Sequence, residues 1–327
     1  MTRLGAGLGL AILVLFAGSL LVGPAQIGIG DSLRGLLEGG NNPIALVMWE
    51  IRLPRALLAV MIGASLGLAG AAMQGYLRNP LAEPGLIGIS GAAALGAVLA
   101  IHTGLAAGFA LGLPLSALAG ALGAVLLIMV LAGPRGTSLT LILAGIAVSA
   151  LAAALTSLVL NLSPNPFAAS EIVFWMMGSL ADRSMTHVWL ALPFTVLGWV
   201  LLAGLGRGLD ALTLGEDAAQ AMGIPINRLR VQLVVGTACV VGAGTAVAGA
   251  IGFVGLVVPH ILRPLVGARP SRLLWASGLG GAVMLLAADI AVRVVLPTQD
   301  LKLGVLTALV GAPLFLHLIL KLRRERI

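Results

Sequence analysis

No charged side chain occurs from Gly85 to Pro134, from Gly136 to Ser170, or from Val231 to Leu262. Stretches this long cannot cover themselves with a water-facing surface. A helix that crosses the hydrocarbon of a bilayer needs about 20 apolar residues, so each gap holds one or two crossings. The rest of the chain agrees, being 59% hydrophobic and 9% charged over 327 residues, with 45 glycines, a mix foreign to soluble domains. The net charge of +7 comes from basic residues set singly or in small groups, with no interleaved aromatic platform, which argues against nucleic acid as a partner. The sole cysteine, Cys239, lies in an apolar run and can form no internal disulfide.

Apolar runs read against breakers predict an all-α polytopic membrane protein that forms one domain over residues 1–327. Ten spans are expected, at about 4–23, 56–77, 85–104, 108–132, 139–161, 187–206, 229–250, 252–266, 273–296 and 303–322. The first reads as a retained span, because the run from Leu4 to Val22 is long for a secretory signal and no A-x-A site follows. Ile172 to Leu180 is too short to cross and reads as a half-helix dipping into the membrane.

With a cytoplasmic N-terminus, the inner segments collect Arg3, Arg78, Arg135, Arg207, Arg228, Arg230, Arg263, Arg269, Arg272, Lys321, Arg323, Arg324 and Arg326. The outer ones hold Arg34, Arg52, Arg55, Arg183, Arg293 and Lys302. This bias places both termini in the cytoplasm. The chain also matches itself at an offset of 242 − 63 = 179, aligning GASLGLAGA at Gly63 with GAGTAVAGA at Gly242, Pro80 with Pro259 and Gly88 with Gly267. The aligned spans run in opposite directions, so the match reads as an inverted repeat of the transporter kind, with chance similarity of small-residue helices as the alternative.

The energy source is not in this chain. Its two lysines, Lys302 and Lys321, each follow a leucine, so no G-x-x-x-x-G-K-[ST] phosphate loop exists. The acid deepest in a span, Asp289, has Arg293 one turn on, where the two neutralise each other more readily than they relay protons. The four histidines are scattered, with no metal-ligand spacing, and no nucleophile and base pair suggests an enzyme. Met176 and Met177 beside Trp175 suit contact with a bulky substrate, although packing between spans is the commoner use.

One stretch differs from everything around it: LTLGEDAAQAMGIPINR, residues 212–228. Glu216 and Asp217 suit the positive end of a short helix, and Gly223 and Pro225 stop it. Within a cytoplasmic segment of about 208–228, such a helix is a protrusion on which an outside energy source can act.

Five ordered segments then become recognisable: RLPRALLAVMIGASLGLAGAAMQGYLRNPLAEPGLIGIS from Arg52, FWMMGSL from Phe174, LTLGEDAAQAMGI from Leu212, GAIGFVGLVVPHILR from Gly249 and TALVGAP from Thr307. Over nearly its whole length the chain resembles the FecCD-type permease subunits of ABC importers for iron-siderophores, haem and cobalamin. The resemblance implies a homodimer in the bacterial inner membrane, two cytoplasmic ATP-binding subunits, a periplasmic substrate-binding protein and surrounding lipid. This chain then binds no cofactor, and ATP and magnesium belong to the ATPase partner. Leu214, Gly215, Glu216, Asp217, Ala218, Met222 and Gly223 match the helix that docks on the ATPase. Trp175, Met176, Met177, Ala308 and Gly311 match the translocation path, lined by the fifth and tenth spans and the half-helix. Arg52, Arg55 and Arg293 match positions that receive acidic residues of the binding protein. Taken as isolated residues, these arginines read as interfacial anchors. Two segments depart from the pattern: DLKLG from Asp300 has Lys302 where a proline is usual, and SLADRSMTHVW from Ser179 carries Asp182 and Arg183. An iron chelate is the expected cargo, with haem and cobalamin next. The competing reading is a stand-alone secondary carrier for a small solute.

Overall fold

A computed structural model of the chain describes residues 2–23, 25, 27–38, 42–109, 111–133, 137–163, 166–295 and 301–324. Arg135, Asp300 and Arg326, which figured in the expectations above, lie outside these residues. The described secondary structure is helical throughout. In chain order it runs α1 (Thr2–Leu21), α2 (Ile29–Glu38), α3 (Pro43–Leu46), a π-helical turn (Val47–Arg52) and α4 (Leu53–Leu77). A 3-10 turn (Pro84–Ile87) leads to α5 (Ile89–His102), α6 (Leu105–Gly108), α7 (Gly112–Ala132), α8 (Ser138–Leu162) and α9 (Pro166–Met176). There follow α10 (Met185–Ala203), α11 (Gly206–Leu212), α12 (Glu216–Ala221), α13 (Ile226–Ala248) and α14 (Val254–Leu262). A second 3-10 turn (Pro264–Val266), α15 (Pro270–Val295) and α16 (Leu303–Arg324) complete the chain.

Seven of the described helical segments are long and apolar enough to cross a bilayer, and Ile89–His102 and Leu303–His317 are shorter apolar stretches. The eighth expected span is corrected. The α-helix there is Val254–Leu262, nine residues before the 3-10 turn, which at about 1.5 Å per residue reaches roughly half-way across. The break before it, Gly249–Phe253, falls where the sequence places one. The half-helix is also present, but runs earlier, as α9.

At the centre stands α4, against which α15, α14, α10 and α13 all pack. Its small residues permit this. A methyl group on Gly67 would overlap the carbonyl of Ser277, one on Gly63 that of Gly281, and one on Gly70 that of Gly255. Such direct backbone contact is what glycine offers between helices in lipid, where apolar burial supplies no drive for association. The same device joins α5 to α7, through Gly96 against Ser116 and Gly120 against Ala92. Side-chain hydrogen bonds add specificity: Trp199 Nε1 donates to Ser65 Oγ at 2.9 Å.

The break between α13 and α14 is sealed by polar groups that the sequence places far away. Gln74 Nε2 donates to the carbonyls of Gly255 and Leu256 at 3.3 and 3.4 Å, and its Oε1 accepts from Arg263 Nη2 at 2.6 Å. Phe253, held at φ +67°, donates its N–H to Glu83 Oε1 at 2.6 Å. A non-helical backbone survives at membrane depth only when protein satisfies it in this way. The 179-residue offset keeps one local pair, since Gly88 and Gly267 each follow a 3-10 turn with positive φ. It fails at helix length, because α4 continues through Gly70 where α13 has ended before Gly249.

The glycine contacts generate a direct test. Gly67→Val should cost about 1–3 kcal/mol through overpacking and lower the melting midpoint in detergent. Gly123→Ala, on a helix and facing open space, should be neutral or stabilising. Equal melting of Gly67→Val and the parent would contradict the contact.

Candidate coupling site and translocation groove

The opening of the polar stretch is built as a bracket. In α11, Asp210 caps the start of α15: its Oδ1 accepts from the N–H of Ser271 at 2.8 Å, and its Oδ2 accepts from Ser271 Oγ at 2.8 Å and Arg269 Nε at 2.7 Å. Burial alone would raise the Asp210 pKa, but these donors outweigh it and hold the carboxyl below its usual value. This residue was not singled out from the sequence, where nothing marks an acid as the cap of a helix 60 residues later (270 − 210 = 60). Next, Gly215 at φ +107° turns the chain into α12, and Gly223 at φ +81° turns it out again. Both conformations suit glycine.

α12 has two sides. Ala219 is fully buried and Glu216 half-buried, while Asp217, Gln220 and Ala221 are exposed and Ala218 is partly so. At its two ends Leu214 is 68% and Met222 61% exposed. Glu216 is tied inward: its Oε1 accepts from Ser138 Oγ, in the first turn of α8, at 3.0 Å.

Of the expected path residues, Met176, Met177 and Ala308 come together. They line an open groove of about 570 Å³ between the end of α9, Ala250 and α16. Three chain ends form its base: the N–H of Ser179 donates to Ala248 O at 2.7 Å, and that of Gly304 to Gly178 O at 3.2 Å. Trp175 does not line it; its carbonyl abuts Gly249, and its buried indole N–H has no hydrogen-bond partner among the described residues. Gly311 is corrected as well. It is buried, and any Cβ there would strike the side chain of Phe253, so it packs α16 on the start of α14 and does not face the groove. An apolar recess of about 440 Å³ between α5, α7 and α8 contains none of the expected residues.

The outer arginines differ most from expectation. Arg52 and Arg55 do share a face, but it points inward, towards α1 and α15. Arg52 is 4% exposed and donates to the carbonyls of Leu20, Leu21 and Ala25 at 2.8, 3.1 and 2.7 Å. Arg293 donates to the carbonyls of Ser19 and Val22 at 2.8 and 2.6 Å and to Asp289 Oδ2 at 2.6 Å. Arg55 Nε completes the cluster on Asp289 Oδ1 at 2.8 Å. Arg55 and Arg293 thus share one fully buried carboxylate, and the carbonyls at the end of α1, the negative end of that helix, take up charge from Arg52 and Arg293. Arg52 and Arg293 are buried and bonded inward, while Arg55 is engaged through Nε alone and stays 16% exposed. Asp289→Ala should strand Arg55 and Arg293 without a counter-charge, costing about 3–5 kcal/mol, read as a fall in the melting midpoint. An unchanged midpoint would show that the cluster is not structural.

Residues 10–321 match the FecCD transport family. The vitamin B12 import system permease protein BtuC of Salmonella paratyphi A (strain ATCC 9150 / SARB42) is 41% identical over 323 residues, covering 97% of this chain and 95% of that protein. The BtuC of Salmonella typhimurium (strain LT2) matches at the same identity and coverage. Among solved structures, an inward-facing conformation of a metal-chelate type ABC transporter superposes with a TM-score of 0.85 at 34% identity, covering 98% of this chain and 100% of that one. PsaBC from Streptococcus pneumoniae, solved with a Fab, has a TM-score of 0.56 at 17% identity, covering 83% of this chain and 92% of that one, and so shares the fold. The chain belongs to the FecCD transport family.

Proposed function

We infer that this protein is the permease subunit of an ABC importer, and we propose that its cargo is a metal chelate, either cobalamin or an iron chelate such as a siderophore or haem. The observation that carries the reading is the knob at α12: a short helix between two left-handed glycines, with Leu214, Asp217 and Met222 exposed on a chain that has no phosphate loop of its own. ATP hydrolysis is the work of a separate subunit. Two ATP-binding subunits would seat on the α12 knobs of two permease copies, and a periplasmic binding protein would deliver cargo at the opposite face, with both termini cytoplasmic. The open groove at Met176, Met177 and Ala308 supports a homodimer, since a second copy would close it into a path. Its wall of methionine and small apolar side chains suits a bulky chelate that must pass without tight binding. The buried arginines support docking of the binding protein by holding the outer ends of α1, α4 and α15 in one shape.

The test is uptake into proteoliposomes that hold the permease and its ATPase subunits, with cyanocobalamin and a ferric siderophore as cargoes offered on the loaded binding protein. Uptake of one of them should require ATP. Ala308→Trp should cut its rate about tenfold or more, the effect of roughly 1.4 kcal/mol on a barrier, while the dimer and its melting midpoint stay intact. Uptake by the permease without ATPase subunits would make it a stand-alone carrier and overturn the reading.

A further inference from the structure

The α12 knob is joined to the rest of the molecule in an uneven way. Behind it lie α11 and α13, its neighbours in the chain. Among the described residues, the one side-chain hydrogen bond by which α12 reaches a helix distant in sequence is that from Ser138 Oγ to Glu216 Oε1. Ser138 is the first residue of α8, just after its cap Thr137, whose hydroxyl accepts from the N–H of Thr140. On the other side of the knob, Arg230 of α13 donates to Gly133 O, at the end of α7, at 2.8 Å and is steadied by Asn227 Oδ1 at 2.7 Å. The end of α7 is therefore bonded to Arg230, beyond the knob, and the start of α8 to Glu216, the first residue of the knob itself.

The two ends differ in freedom. α13 and α4 are 78% buried in their membrane stretches, whereas α8 is 33% buried. Leu139, Leu143, Ile146 and Leu151 on α8 are all exposed. A force on α12 reaches the more buried α13 directly and the more peripheral α8 through Ser138. We propose that the Glu216–Ser138 hydrogen bond is the positioning contact that passes movement of the α12 knob to α8. This rests on the reading of α12 as the ATPase docking site.

The experiment uses the full permease–ATPase complex in nanodiscs, with Cys239→Ser and a spin label at Leu143→Cys in the second turn of α8. The distance between the labels of the two copies is measured without nucleotide and with ATP and vanadate. The unmodified contact should give an ATP-dependent change in distance. Ser138→Ala should lose most of that change, while Ser138→Thr, which keeps a hydroxyl, retains it. Should Ser138→Ala fail to assemble, Glu216→Met removes the acceptor at nearly constant length and should lose the change, and Glu216→Gln, which keeps an acceptor oxygen, should keep it. A full change in Ser138→Ala or Glu216→Met overturns the contact's role while leaving α12 as the docking site. No ATP-dependent change in the parent complex, or no binding of the ATPase subunits, overturns the docking reading and this inference together.

Discussion

Everything in this molecule is arranged around the backbone contact of α4 with α15 and α14. In lipid, helices gain little by hiding leucine from a solvent that is itself hydrocarbon, so close packing and satisfied polar groups must hold the bundle. Gly63, Gly67 and Gly70 sit on successive turns of α4 and meet the backbone of Gly281, Ser277 and Gly255. With that seam closed, α10 and α13 complete a core around α4. More peripheral helices, α8 and α16 among them, carry exposed apolar faces: Leu143, Leu155, Leu158 on one, Leu309, Val310 and Leu316 on the other.

The second rule at work is that no backbone group inside a membrane is left without a partner cheaply. The chain ends that lie inside or at the rim of the bundle each recruit a long polar side chain from elsewhere. Glu83 takes the N–H of Phe253, Gln74 spans the carbonyls of Gly255 and Leu256, and Arg52 and Arg293 gather those at the end of α1. This explains why the few charged residues of the membrane region are placed as they are. It also explains how Phe253 keeps a left-handed backbone, an arrangement that costs energy and persists only when its surroundings enforce it.

The spans were legible because charge-free length is a one-dimensional property, and so was the α12 knob, because acids followed by Gly223 and Pro225 stand out against an apolar background. The positive φ at Gly223 follows from the same punctuation. Other features depend on what lies opposite in space, which the order of residues does not reveal. Gly311 looks like any small residue of a path until Phe253 is seen against it. Arg52 and Arg293 read as outward anchors because the carbonyls that capture them belong to α1, far away in the chain. The 252–266 stretch has the hydropathy of a span, and only the five-residue break and the 3-10 turn shorten it to α14. Ser138 carried a faint signal as part of a Thr-Ser pair opening an apolar run, but its bond to Glu216 joins residues 78 positions apart.

The central claim is that α12 is where an ATPase subunit grips the permease. Hydrogen–deuterium exchange on the assembled complex and on the permease alone tests it most directly. The account predicts that amides from Leu214 to Gly223 become protected when the ATPase subunits bind, with the rest of the exposed surface on that side changing less. Unchanged exchange across this segment in a complex that hydrolyses ATP would contradict it.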